Sequence, residues 1–105
     1  MSADDAAGLL SDRVQIVFER LRREYLDEMP ARIEALQAAM STGDTDALRI
    51  GLHQLAGSGG SHGFPGISTV ARELERALAA SGALAADDGI ASLRQAVADA
   101  QAELR

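Results

Sequence analysis

The sequence contains no cysteine, which removes disulfides, thiolate metal sites and thiol nucleophiles together. It has no lysine either: all ten basic residues are arginine, set against sixteen acidic ones for a formal net charge of −6. Non-specific nucleic-acid binding rests on clustered cations that neutralise phosphates, so this balance argues against a nucleic-acid partner. Aromatic side chains are scarce, only Phe18, Tyr25 and Phe64, and any core must be aliphatic. No segment approaches the roughly 20 apolar residues of a membrane helix. Met1 to Arg13, with Asp4, Asp5 and Asp12, lacks the basic start and long apolar run of a secretory signal. The expectation is a cytoplasmic protein without membrane contact.

What is present is 105 residues, 47% hydrophobic and 25% charged, enough for one small domain with a real core. Alanine and leucine are prominent and β-branched residues few, which favours helices, and no alternating strand pattern competes. Val14, Phe18, Leu21, Tyr25, Met29, Ile33, Leu36 and Met40 recur at helical steps and predict a long amphipathic helix. Pro30 should kink or divide it near Met29, and Gly43 can form a left-handed cap. Asp44 or Thr45 can cap a second helix with the face Leu48, Leu52, Leu55 and Gly59, reaching about Ser61. A third starts around Phe64 and Pro65, follows Ile67, Val70, Ala71, Leu74, Ala77 and Leu78 to Ser81, and stops at Gly82. Asp87 or Asp88 can cap a fourth, with the stripe Ile90, Leu93, Val97, Ala100 and Leu104. Short connections make neighbours antiparallel. The expected fold is all-α, an antiparallel up-and-down four-helix bundle over 13–105 with a short, flexible N-terminal extension over 1–12.

Gly51, Gly57, Gly59, Gly60, Gly63 and Gly66 put six of the ten glycines within sixteen residues. Three of them in a continuing second helix give up about 1 kcal/mol each relative to alanine, a large share of a domain stability of about 5–15 kcal/mol. At about 100° per residue, Gly57 and Gly60 fall within about 40° of the direction of His53, which itself points roughly 130° away from the core stripe. Ile50 also turns outward, and Arg49 stands one turn before His53 on the same side. An exposed imidazole thus has an apolar contact, an arginine and bare backbone beside it, so a partner could approach closely and a free ring nitrogen could act as a nucleophile. Glycines can equally serve close helix packing, as Gly59 on the core face would, and a lone surface histidine is commonly inert.

The run Leu52-His53-Gln54-Leu55-Ala56-Gly57-Ser58-Gly59-Gly60-Ser61-His62-Gly63-Phe64, followed by Leu74-Glu75 on the next helix, resembles the signature of histidine-containing phosphotransfer (HPt) domains. The resemblance extends over most of the chain, including the turn Gly43-Asp44 before the histidine helix. It implies that His53 accepts a phosphoryl group from a receiver-domain aspartate and passes it to another. It also implies that Gly57 leaves room for the docked receiver, and that Ser58 and Gly60 shape the same helix surface. Response-regulator receiver domains, a hybrid sensor histidine kinase, or both would be the partners. No intrinsic cofactor, kinase activity or nucleotide site is implied, and the magnesium ion would come from the receiver. The sequence agrees in lacking a phosphate-binding glycine loop with its lysine. One departure matters: where many members carry lysine, this chain has Ala56, so a cation that could steady the phosphoryl oxygens is missing there, and Arg49, one turn before His53, is the candidate substitute, with Arg72 a weaker one. Gln54 could hydrogen-bond near the site, and Ile50 and Ala56 are the expected docking contacts.

A metal site shared by His53 and His62 is disfavoured, because nine residues of helix turn them to opposite sides and no carboxylate stands three residues before His53. His62 reads better as a helix-end residue packed near Phe64. The rival to a phosphoryl carrier is a monomeric helical adaptor that binds receivers through the same face without being phosphorylated. Hydrolytic catalysis has no support, since the carboxylates scatter over solvent-facing positions such as Glu19, Glu34 and Glu73. A monomer is expected in either case.

Overall fold

The structure, a computed structural model, describes residues 3–82 and 88–104. Among the described residues all regular structure is helical: α1 (Ala3–Asp27), α2 (Met29–Thr42), α3 (Thr45–Ser61), α4 (Pro65–Ser81) and α5 (Asp88–Glu103). None of these helices is long and apolar enough to cross a membrane. Helices α2 to α5 form the antiparallel four-helix bundle, with α3 and α4 the most intimate pair.

The boundaries follow from local chemistry. The long first stripe divides at Glu28, with Pro30 in the first turn of α2, where its missing N–H costs nothing. Gly43 ends α2 at φ 72° and returns its N–H to the carbonyls of Ala39 and Met40. Asp44 then caps α3, its carboxylate accepting from the Ala47 N–H at 3.1 Å. Gly63, at φ 80°, turns the chain from α3 into α4, and Gly82, at φ 74°, ends α4. Asp88 opens α5, while Asp87, the other candidate cap, lies outside the described residues.

The core is aliphatic as expected, with Met29, Leu52, Leu55, Phe64, Ile67, Ile90 and Leu93 sealed from solvent. Leu26, Ala39 and Ala56 join it although the helical stripes omit them, and Ala77, placed on a stripe, is exposed. The larger correction concerns α1. Val14, Phe18 and Leu21 continue the periodicity of Tyr25 and Met29 yet are 67%, 43% and 45% exposed. The reason is length: α1 has 25 residues where α2 to α5 have 14 to 17, so it outruns the bundle and its stripe loses its neighbours. The helix also begins at Ala3, well before Val14, because backbone hydrogen bonds extend through Ala- and Leu-rich sequence without an apolar face to bury.

Helix α1 meets the bundle through a polar cluster at the C-terminal end of α3. The Arg22 guanidinium donates to the carbonyls of His62 at 3.0 Å and Gly63 at 3.3 Å, and its carbon lies 4.5 Å from the centre of the Phe64 ring. Tyr25 stacks on His62 with centroids 4.3 Å apart and shares a 2.8 Å hydrogen bond with the Ser58 hydroxyl. Burial pushes the Tyr25 phenol above its ordinary value, outweighing the Ser58 hydrogen bond and the nearby Arg32, which pull it down.

Helices α3 and α4 approach most closely at Gly59. A Cβ there would stand 2.8 Å from the Ser68 backbone nitrogen and 3.2 Å from Ile67 Cγ2. The buried Ser68 hydroxyl donates to the Ala56 carbonyl across the same contact. Gly57, two residues away, has nothing within 4 Å of the corresponding position.

Two predictions follow from this packing. Gly59→Ala should lose about 1–3 kcal/mol by forcing two backbones apart, whereas Gly57→Ala should gain up to about 1 kcal/mol from helix propensity; urea denaturation midpoints measure both. The second concerns alkali. Below pH 10.0, the ordinary phenol value, folded and unfolded chains both keep the Tyr25 proton and the stability is fully present. As pH rises from there through the higher folded value, only the unfolded chain has released it, and stability falls. Thermal melts across the alkaline range should show that loss in the native chain and a flatter profile in Tyr25→Phe.

Candidate functional site

Around His53, α3 reads Asp46, Arg49, Ile50, His53, Gly57 and Gly60 along one outward strip, the set that successive helical turns stack on one side. Leu52 and Leu55 flank His53 in sequence and anchor the opposite face, at 0% and 1% exposure. His53 is therefore held outward by its own neighbours, and its side chain is 76% exposed.

One contact orients the ring. The Nδ1 of His53 lies 2.8 Å from Oε2 of Glu75 on α4, whose side chain is only 27% exposed. A carboxylate can only accept, so Nδ1 carries the hydrogen and donates it. In the neutral ring this leaves the lone pair on Nε2, on the far side of the imidazole from Glu75 and toward solvent. A nucleophile with its tautomer fixed by a second side chain is the arrangement on which nucleophilic catalysis depends.

The remaining sequence-derived candidates divide. Arg49 is exposed one turn before His53, with a guanidinium nitrogen 3.8 Å from Asp46, a loose pair across one helical turn. Ile50 is 49% exposed on the same strip, and Gln54 is exposed beside it. Gly57 leaves open space next to the ring, and a Cβ at Gly60 would meet only the Ser68 side chain, 3.7 Å away at its hydroxyl. Two candidates fall elsewhere. Ala56, expected as a docking contact, is 6% exposed, because it lies on the core side of the helix from His53, and its carbonyl accepts from Ser68 of α4. Ser58 turns away from His53, and its hydroxyl holds Tyr25. Arg72 is exposed on α4, one turn before Glu75.

Glu75 is the residue that the helical reading of α3 does not reveal, since it belongs to the next helix. Its signal is register: in an antiparallel pair turned by Gly63, Ser68 lies opposite Gly59, and two further turns of α4 bring Glu75 level with His53. His62, the other histidine, is part-buried against Tyr25, and its Nδ1 donates to the Ser58 carbonyl at 2.8 Å. Among the described residues no group of three or more histidines, aspartates and glutamates converges as metal ligands would.

This helix order and site can be set beside known proteins. No curated protein and no solved structure matches the chain. A family model does, that of the Hpt domain, over residues 20–103. Proteins of that kind are phosphocarrier modules in histidine phosphotransfer, working with receiver domains and kinases in two-component signalling. The match takes in the end of α1 and the whole bundle, His53 and Glu75 included, and the chain belongs to the Hpt domain family.

Proposed function

We propose that the chain is an intermediate carrier in a multistep phosphorelay, with His53 Nε2 as the atom that takes up and gives away the phosphoryl group. The observation that carries this reading is the 2.8 Å contact between Nδ1 and Glu75, which leaves Nε2 as the exposed nucleophilic nitrogen. In the forward step the Nε2 lone pair attacks the phosphorus of an aspartyl phosphate on a receiver domain. The Nε2–P bond forms, the P–O bond to the aspartate breaks, and the carboxylate leaves with that electron pair. The ring becomes cationic, and its Nδ1–H stays on Glu75, whose charge offsets it. Attack by a second receiver's aspartate reverses every bond change and restores neutral imidazole.

The chain's own part is positioning and charge, which is most of what phosphoryl transfer demands. Ile50 supplies apolar contact for the receiver, Gly57 and Gly60 let its backbone come near, and Gln54 borders the site. Ala56, at the position where lysine is usual in the family, offers no cation, so Arg49 supplies it from one turn before His53, and an incoming phosphoryl group with its higher charge would draw Arg49 from its exposed pairing with Asp46. The magnesium ion belongs to the receiver in this scheme, and the carrier needs no cofactor or nucleotide of its own.

Incubation with a radiolabelled receiver domain in magnesium tests the reading. Label on the native chain should be acid-labile and alkali-stable, absent from His53→Gln and retained by His62→Gln. Glu75→Ala should slow transfer by about ten- to a hundredfold, the range seen when a metal-ligating histidine loses the carboxylate that orients it. Glu75→Gln should fall between, since its amide oxygen still accepts from Nδ1. Arg49→Ala should slow transfer more than Arg72→Ala; native rates in both would remove either arginine from the site. Receiver binding with no label in any receiver tried would instead establish a binding-only adaptor.

A further inference from the structure

Helix α1 carries an apolar stripe of which the bundle uses little beyond the edge of Phe18, whose ring reaches the Gly63 turn. Its last turn is anchored by Tyr25 and Leu26, both buried, but every residue from Ser11 to Arg20 is exposed. The molecule is accordingly long, 60 Å by 23 Å by 17 Å. On this projecting segment Val14, Val17, Phe18 and Leu21 are 67%, 50%, 43% and 45% exposed. At about 100° per residue they fall within about 60° of one line, which continues into Tyr25. Single exposed aliphatics are ordinary, whereas four aligned on one helix face mark a contact surface.

We propose that this stripe pairs with the same stripe of a second copy, α1 against α1, antiparallel about a twofold axis. Self-complementarity is the first argument, since a twofold interface must match its own residue list reversed. In the register that centres the axis between Val17 and Phe18, Val14 meets Leu21 of the other copy, and Val17 meets Phe18, each contact occurring twice. Charge is the second. Arg13 and Glu24 flank the stripe on the same side, about 100° and 80° from Val14. The antiparallel register brings Arg13 of each copy to the same flank as Glu24 of the other and within two residues of its height, again twice, while in a parallel pair the two stand on opposite flanks and eleven residues, about 16 Å, apart along the axis. Glu24 is available for this, because its present partner Arg20, 3.7 Å away, is a solvent-exposed neighbour on the same helix.

The pairing is compatible with the site. Antiparallel α1 helices direct the two bundles to opposite ends, and α1 reaches α3 from its own last two turns, through Tyr25 to Ser58 and through Arg22 to Gly63 and His62. His53 lies nine residues upstream, about 13 Å along the helix axis, and stays open in both copies. The proposal departs from the expected monomer because the first half of the stripe has no core to enter.

Sedimentation equilibrium of the full chain from about 10 μM to about 1 mM tests this, a span that captures ordinary weak self-association. The mass should rise from 11.0 kDa towards twice that value. V14E/V17E should stay monomeric throughout while keeping its far-ultraviolet circular dichroism and its rate of labelling at His53, because both positions are exposed and remote from that site. R13E should raise the dissociation constant at least tenfold, and R13E/E24R should bring it back to within threefold of the native value. A native chain that is monomeric at the highest concentration, a dimer indifferent to V14E/V17E, or a charge reversal that does not rescue overturns the proposal. So does a monomer that loses receiver binding on V14E/V17E, which would assign the stripe to the receiver.

Discussion

The close approach of α3 and α4 at Gly59 is the constraint on which the site depends. With no side chain at Gly59, the Ser68 backbone can sit against α3, and the Ser68 hydroxyl ties the two helices by donating to the Ala56 carbonyl. That contact fixes the axial register of an antiparallel pair whose connection is only the Gly63 turn. Given the register, Glu75 is level with His53 and its carboxylate reaches Nδ1. A wider separation, or a slip by one turn, would leave His53 exposed as before but with no acceptor to choose its tautomer. The chemistry of an exposed ring is thus set by a buried contact several turns away.

The glycines of α3 explain themselves once they are separated by what each would meet. A Cβ at Gly59 would meet backbone, so its absence is a packing requirement. At Gly57 a Cβ would meet nothing, and the helix gives up about 1 kcal/mol of propensity for no contact inside this molecule. Under the proposed function that loss has its rationale outside the chain, in a receiver surface that comes close to His53. Two glycines two residues apart therefore answer to different pressures, one to the fold and, under the proposed function, one to a partner.

Much of this was legible in the sequence because it is local. The division at Pro30, the caps at Gly43, Asp44 and Gly82, and the faces of α3 and α5 follow from spacing and turn chemistry, and the structure has them there. The outward direction of His53 follows from the position of Leu52 and Leu55. Relations between helices are less visible. Periodicity places Val14, Phe18 and Leu21 on the same face as Tyr25 but cannot say where the neighbouring helices end. Ala56 lies only about 60° around the helix from His53, near enough to pass for its neighbour and far enough to be buried. Glu75 needed the register of α3 against α4, and that register is written in Gly59 and Ser68 rather than in any pattern around His53.

The two histidines show how environment, not residue type, assigns the role. Each uses Nδ1 to donate to an oxygen, His53 to Glu75 and His62 to the Ser58 carbonyl, both at 2.8 Å. For His62 the ring face is also covered, stacked on Tyr25 beneath the Arg22 bridge that fastens α1 to the bundle. Its bond partners are the end of its own helix and a core tyrosine, so its work is to close α3 and seat α1. For His53 the partner on Nδ1 is a carboxylate, the faces are bare, and the neighbours along the strip are glycines and an arginine. A carboxylate behind the ring can hold a proton through a change of ring charge that a neutral carbonyl would not offset. That difference, more than exposure alone, is why the proposed phosphoryl chemistry is placed on His53 and an architectural role on His62.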